Sequence, residues 1–186
     1  MKTIKAIETR YKGYRFRSRL EAKWAVFFDA LGIEWEYEKE GYDLGEGGWY
    51  LPDFWLPQVS MWAEVKPSAF TEAEQRKLET LVAGTRHDAL MLDGEPTTQS
   101  YWGIALVDEL GSVEYMDYML QEGHRYWEDE HRYWEDEHRF YASTGKSFPE
   151  RDGYSHGPGC LCSWCDLDGA VAKARGAQFE HGRHGA

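Results

Sequence analysis

Two segments of this chain begin a helix with the same pattern, and together they limit what it can fold into. Ser18 is followed three residues later by Glu21, and Thr71 by Glu74. In each case the hydroxyl can cap the third helical N–H while the carboxylate turns back to the cap. Leu20, Trp24, Phe27 and Leu31 then recur at helical spacing until Gly32, which predicts an amphipathic helix over 18–31. After Thr71, the apolar face of Leu78, Leu81 and Val82 runs to Gly84 and predicts a second helix of about 13 residues.

The stretches around these helices have strand character. Ile33, Trp35 and Tyr37 alternate with Glu34, Glu36 and Glu38, the period of a half-buried strand, and the stretch from Gly41 to Gly48 breaks it. Trp49 to Leu56 and Met61 to Lys66 read as second and third strands of a meander, and 88–92 and 102–107 as two more. The order helix, three strands, helix, strand, strand predicts a mixed α/β core with a central sheet flanked by helices, covering residues 1–115. At 186 residues, 42% of them hydrophobic, the chain can fill one such core and carry an appendage.

Beyond the core, His124-Arg125-Tyr126-Trp127-Glu128-Asp129-Glu130 is repeated letter for letter as His131 to Glu137. Seven-residue spacing keeps each residue type near one helical face, and Glu128–Arg132 and Glu135–Arg139 are favourable pairs. A long helix is therefore expected over 116–142, and its aromatic columns make it a candidate homodimer interface. The remainder, 143–186, is a Gly- and His-rich tail in which little order is expected outside one cysteine cluster. There His156, Cys160, Cys162 and Cys165 offer zinc-type donors, although one knuckle alone is compact for a structural Zn²⁺ site; free thiols are the alternative. His124, His131 and His138 are spaced too far along a helix to share one ion.

Charge is unevenly distributed. The chain carries a net charge of -12, yet residues 1–24 hold eight Lys and Arg against only Glu8 and Glu21. A uniformly basic nucleic-acid coat is excluded, while Lys12, Arg15, Arg17 and Arg19 remain candidates for a local strip that meets phosphates; a solvated basic arm is the alternative. The basic start continues into more charge rather than an apolar run, and no apolar stretch approaches the ~18 residues of a membrane span. Three crowded cysteines form no disulfide framework. Together these suggest a cytoplasmic protein with no membrane partner.

The chemistry-bearing pattern is Pro52-Asp53, ten residues, then Glu64-Val65-Lys66, with Glu21 on the preceding helix. On a strand, Glu64 and Lys66 share one face and Val65 takes the other. With Asp53 on the adjacent strand, two carboxylates and an ammonium converge. Such a half-cage suits a hard divalent ion, Mg²⁺ or Mn²⁺, that keeps waters and takes a substrate phosphate as a further ligand. Trp49, Trp55 and Trp62 fit either a base-stacking surface or, more commonly, the core side of half-buried strands.

In this αβββαβ order, Glu21, Pro52-Asp53 and Glu64-Val65-Lys66 resemble the PD-(D/E)xK, or restriction-endonuclease-like, nuclease superfamily over residues 11–107. The segments Phe16 to Ala25 and Tyr50 to Phe54 further resemble small endonuclease-like proteins common in bacteriophage genomes. The resemblance implies a metal-dependent endonuclease that hydrolyses phosphodiester bonds in DNA within a bacterial host cell. It implies Asp53 and Glu64 as ligands of Mg²⁺ or Mn²⁺, with the Val65 carbonyl as a further ligand. Lys66 would be the catalytic lysine, Glu21 the helix-borne acid, and Gln75 or Lys77 a phosphate contact. The competing expectation is a catalytically silent protein of the same fold that binds a host protein or nucleic acid, and the acidic net charge suits the protein partner better than duplex DNA. A third is a zinc-stabilised module over 116–165.

Overall fold

A computed structural model describes residues 7–98, 101–108, 110–124, 136–142 and 167–179. The chain opens with a tight hairpin, β1 (Thr9–Tyr11) and β2 (Tyr14–Phe16), whose two turn residues Lys12 and Gly13 both have positive φ, as the commonest two-residue hairpin turn requires. The hairpin is no solvated arm. Phe16 is fully buried, its ring centroid 4.4 Å from that of Tyr37 and 6.1 Å from that of Phe54. Helix α1 (Arg19–Ala30) follows with Ser18 as its cap, and Gly32 takes the left-handed conformation just beyond it.

The predicted meander is present but shorter at its edge. Only Glu36–Tyr37 (β3) pairs, although burial of Ile33 and Tyr37 keeps the expected alternation. The glycine-rich stretch carries a small hairpin of its own, β4 (Tyr42–Asp43) and β5 (Trp49–Tyr50). The expected strand over 49–56 is split, because Pro52 has no N–H to give a ladder; pairing resumes at β6 (Phe54–Leu56). Strand β7 (Met61–Lys66) has the expected bounds. Helix α2 (Glu72–Thr85) passes through Gly84 and stops at Arg86, whose left-handed backbone caps the helix with an N–H to the Val82 carbonyl at 2.9 Å. Strands β8 (Ala89–Asp93) and β9 (Tyr101–Leu106) then close the core expected from sequence.

The sheet does not end there. Where residues of the helix expected over 116–142 are described, they form strands instead: β10 (Val113–His124) and β11 (Asp136–Ala142) are antiparallel, with Leu120 opposite Phe140. Tyr, Met, Val and Phe favour a pleated surface, and Val113 and Tyr115 turn to one face while Met116 and Tyr118 turn to the other. Residues 125–135, most of the repeat, lie outside the described residues, and so does the His156, Cys160, Cys162, Cys165 set. The dimer interface expected on that helix has no helix to rest on among the described residues. The tail also contains unexpected order: α3 (Leu167–Gly176) buries Ala170, Val171 and Ala174 on the core.

The seven-stranded mixed sheet runs β11-β10-β9-β8-β7-β6-β3, with the parallel pair β7–β8 made possible by the α2 crossover. Helices α1 and α3 cover one face over Phe54, Ala63, Val65, Leu90 and Leu92; α2 covers the other over Trp62, Ala89, Met91 and Ile104. With both faces covered, β7 and β8 read as continuous apolar runs interrupted only by Glu64 and Lys66 and by Asp93. A buried carboxylate in such a strand needs a reason.

Candidate active site

The acids converge where α1 begins, beside the carboxyl end of β7. Asp53 sits in the bend before β6, set there by Pro52, and Glu64 is one residue past the last β6–β7 pair. Asp53 and Glu64 are 2% and 3% exposed. The Asp53 N–H donates to Glu64 Oε2 at 3.2 Å, and the Val65 N–H donates to Asp53 Oδ2 at 2.8 Å. Lys66 forms an ion pair with Glu64 Oε1 on the same strand face, while the Val65 side chain packs into the core, as strand alternation predicts.

Glu21 joins the cluster from α1. Its Oε2 accepts from the Arg17 N–H at 3.1 Å and the Tyr37 hydroxyl at 2.5 Å, and its Oε1 accepts from the Ser18 hydroxyl at 2.6 Å. The negative charge it adds is felt at Asp53. Burial first, then the Glu64 and Glu21 carboxylates, push the Asp53 carboxyl up to about 8, against the pull of the Val65 N–H and of Arg17. Lys66 is drawn down by burial but raised on balance by Glu64, so it remains a cation.

Two partners were not legible as such in the sequence. Tyr50, half-buried on β5, lies close enough to Glu64 that burial together with that carboxylate drives its phenol well above the usual range. Arg17 reaches back from the hairpin, its Nη2 2.5 Å from Asp53 Oδ1 and its Nε 2.8 Å from Glu38 Oε1. Glu38 holds a left-handed backbone at φ 47 while its N–H bonds the Asp53 carbonyl at 2.9 Å. The signal for Tyr50 was its place three residues before Asp53; for Glu38 the sequence offered none.

The other sequence candidates divide. Lys12 pairs with Asp29 at 2.7 Å near the far end of α1, about 16 Å along the helix from Ser18 at 1.5 Å per residue. Arg15 pairs with Glu8 on the exposed hairpin, and Arg19 is the first residue of α1. Gln75 and Lys77 lie half-buried in the first half of α2, where Lys66 and Lys77 both hold the Glu74 carboxyl below its usual range after the Thr71 cap bonds. Trp62 is core, Trp55 half-buried and Trp49 exposed.

The residues fit a divalent cation. Burial and the neighbouring carboxylates raise the Asp53 carboxyl, which a divalent cation would relieve, and Asp53 and Glu64 each have oxygen lone pairs beyond the bonds above. Among the described residues no three His, Cys, Asp or Glu side chains gather to hold an ion by themselves. The protein's share would thus be two carboxylates, as Mg²⁺ accepts when waters and phosphate supply the rest. No protein-family model, curated protein or solved structure matches this chain. Among the described residues, no helix is long and apolar enough to cross a membrane.

Proposed function

We propose that this chain is a metal-dependent endonuclease of restriction-endonuclease-like architecture that hydrolyses phosphodiester bonds in DNA, with Mg²⁺ or Mn²⁺ as cofactor. The observation that carries the proposal is the buried Asp53–Glu64 pair, joined by the Asp53 N–H bond to Glu64 and flanked by Lys66 and Glu21. Asp53 and Glu64, with the Val65 carbonyl, would hold the ion, which would polarise the phosphodiester and lower the pKa of a bound water. Lys66 stays protonated and stands ready to hold that water or balance charge on the phosphate. Glu21 keeps the start of α1 and the Arg17 backbone in place beside Asp53.

A second reading, binding without cutting, draws on the Arg17–Asp53 pair, because a guanidinium already neutralises the carboxylate that an ion would need. One experiment separates the two. Supercoiled plasmid, single-stranded DNA and a four-way junction are incubated with the full chain in Mg²⁺, Mn²⁺ or EDTA, beside Asp53→Ala and Lys66→Ala. Metal-dependent cutting that falls ~100-fold or more in both folded variants is the expected result. Three uncut substrates with a folded wild type would leave the binding protein.

A further inference from the structure

A cavity of about 580 Å³ lies on the α2 face of the sheet, between the β4–β5 hairpin, β6–β7 and the C-terminal half of α2. Its wall is aromatic. Trp55 and Trp62 are cross-strand partners with ring centroids 4.6 Å apart, His87 stands 4.9 Å from Trp55, and Tyr42 stands 5.5 Å from Trp62. Trp62 is sealed at 2% exposure and its indole N–H is bonded to Thr85, so the half-buried Trp55 is the ring left to stack on. Lys39 lies over Trp55 at 5.0 Å, and Glu40 and Asp43 also line the cavity, one Glu40 oxygen accepting from the Tyr42 hydroxyl and one Asp43 oxygen from the Gly45 N–H.

Its position relates it to the acid pair. Trp62 is two residues before Glu64 on β7, so that ring and the Glu64 carboxylate share a sheet face about 7 Å apart, with Trp55 as the cross-strand partner of Trp62. The small hairpin bridges the two places: Tyr42 and Tyr50 are cross-strand partners, the first edging Trp62 and the second near the Glu64 carboxylate. A chain whose phosphate rests at Asp53 and Glu64 can therefore carry a flat ring to Trp55.

We propose that this cavity takes an unpaired nucleobase, one whose edge presents N–H donors, so that the substrate of the neighbouring site is nucleic acid with a base free to leave the stack. Stacking needs an indole face and tolerates any base; the free carboxylate oxygens of Glu40 and Asp43 prefer cytosine, guanine and adenine, whose amino groups donate to Asp or Glu, over thymine. A base held in a duplex cannot reach the cavity without unpairing. The inference rests on the nuclease reading only for what the base is attached to.

The test uses nucleosides, which have no phosphate, titrated into the full chain in EDTA and followed by ligand-observed NMR. Wild type binds cytidine and guanosine saturably and more tightly than thymidine, and Trp55→Ala weakens that binding about tenfold, the cost of one base–aromatic stack. Gly84 lines the cavity, and a Cβ there meets nothing within 4 Å. Gly84→Leu therefore blocks the cavity without lowering the melting temperature, and serves if Trp55→Ala fails to fold. Absence of saturable binding by wild type at millimolar nucleoside, or undiminished binding by Gly84→Leu, overturns the proposal. Neither result touches the cleavage experiment, and loss of cleavage alone leaves the cavity standing.

Discussion

Helices α1 and α2 begin with the same pattern and use it differently. In α2 the capping box is complete and exposed: Glu74 accepts from the Thr71 N–H at 2.9 Å and from its hydroxyl at 2.7 Å, and the Thr71 hydroxyl accepts from the Glu74 N–H. In α1 the Ser18 hydroxyl still accepts from the Glu21 N–H at 3.1 Å, but the Glu21 carboxylate gathers Arg17, Ser18 and Tyr37 around itself and is only 7% exposed. A carboxylate is costly to bury, and a cap alone needs no burial. What differs is the neighbourhood: the start of α1 faces Asp53 and Glu64, and that of α2 faces solvent and Lys66. One motif thus serves as plain helix punctuation in α2 and as part of a charge cluster in α1.

The widest gap between the two boxes should appear in stability. Glu21→Ala orphans the Ser18 and Tyr37 hydroxyl donors in a largely buried place, leaving the Arg17 N–H only the Tyr37 oxygen, and is expected to cost about 2–4 kcal/mol, whereas Glu74→Ala costs about 1 kcal/mol, as an exposed cap does. Urea unfolding of both variants measures the difference; equal losses would return Glu21 to the rank of an ordinary cap.

A smaller contrast concerns pH. The Asp53 carboxyl is raised from its ordinary value near 3.8 to about 8, so the folded state holds a proton that the unfolded chain has released. Its contribution is fully present below about pH 4 and is lost as pH rises to about 8. In EDTA the melting temperature of wild type relative to Asp53→Asn should fall across that window, and Mn²⁺ should restore it in wild type alone. The Glu74 carboxyl is held low and has the opposite sign: its contribution is present above the carboxylate range and fades as acid is added.

The finest contrast is between two arginines of the same hairpin. Arg17 meets the buried Asp53, and Arg15 meets the exposed Glu8. Arg17→Met should raise the apparent pKa of that pH transition by withdrawing a cation that favours ionised Asp53, and Arg15→Met should leave it in place. Melting curves from pH 4 to 9 would resolve the two, and coincident transitions would detach Arg17 from the site.

Elements whose signals were local were legible in the sequence: both caps, the alternation into Tyr37, and the apolar run of β7 with its acid and lysine on one face. The pairing of Asp53 with Glu64 was legible because Pro52 and the strand period fix where each side chain points. The C-terminal part was misread because a seven-residue repeat satisfies a helix on paper, whereas Tyr115, Met116 and Tyr118 find their partners in β9, a choice that only tertiary pairing reveals. Gly103 belongs to the same pairing: a Cβ there would come within 2.6 Å of the Tyr118 ring. Helix α3 had a readable signal in Leu167, Ala170, Val171 and Ala174 at helical spacing, hidden by small side chains and a polar setting. Arg17 was visible as a cation, but its turn toward Asp53 depends on where the hairpin docks.

The Val65 N–H donates to Asp53 Oδ2, a side chain, while residues around it in β7 belong to a ladder with β8. Hydrogen–deuterium exchange at that one amide is therefore governed by a single carboxylate within an otherwise slow strand. Any event that turns Asp53 away would quicken Val65 and leave its neighbours protected, giving a built-in reporter of the site that needs neither substrate nor label.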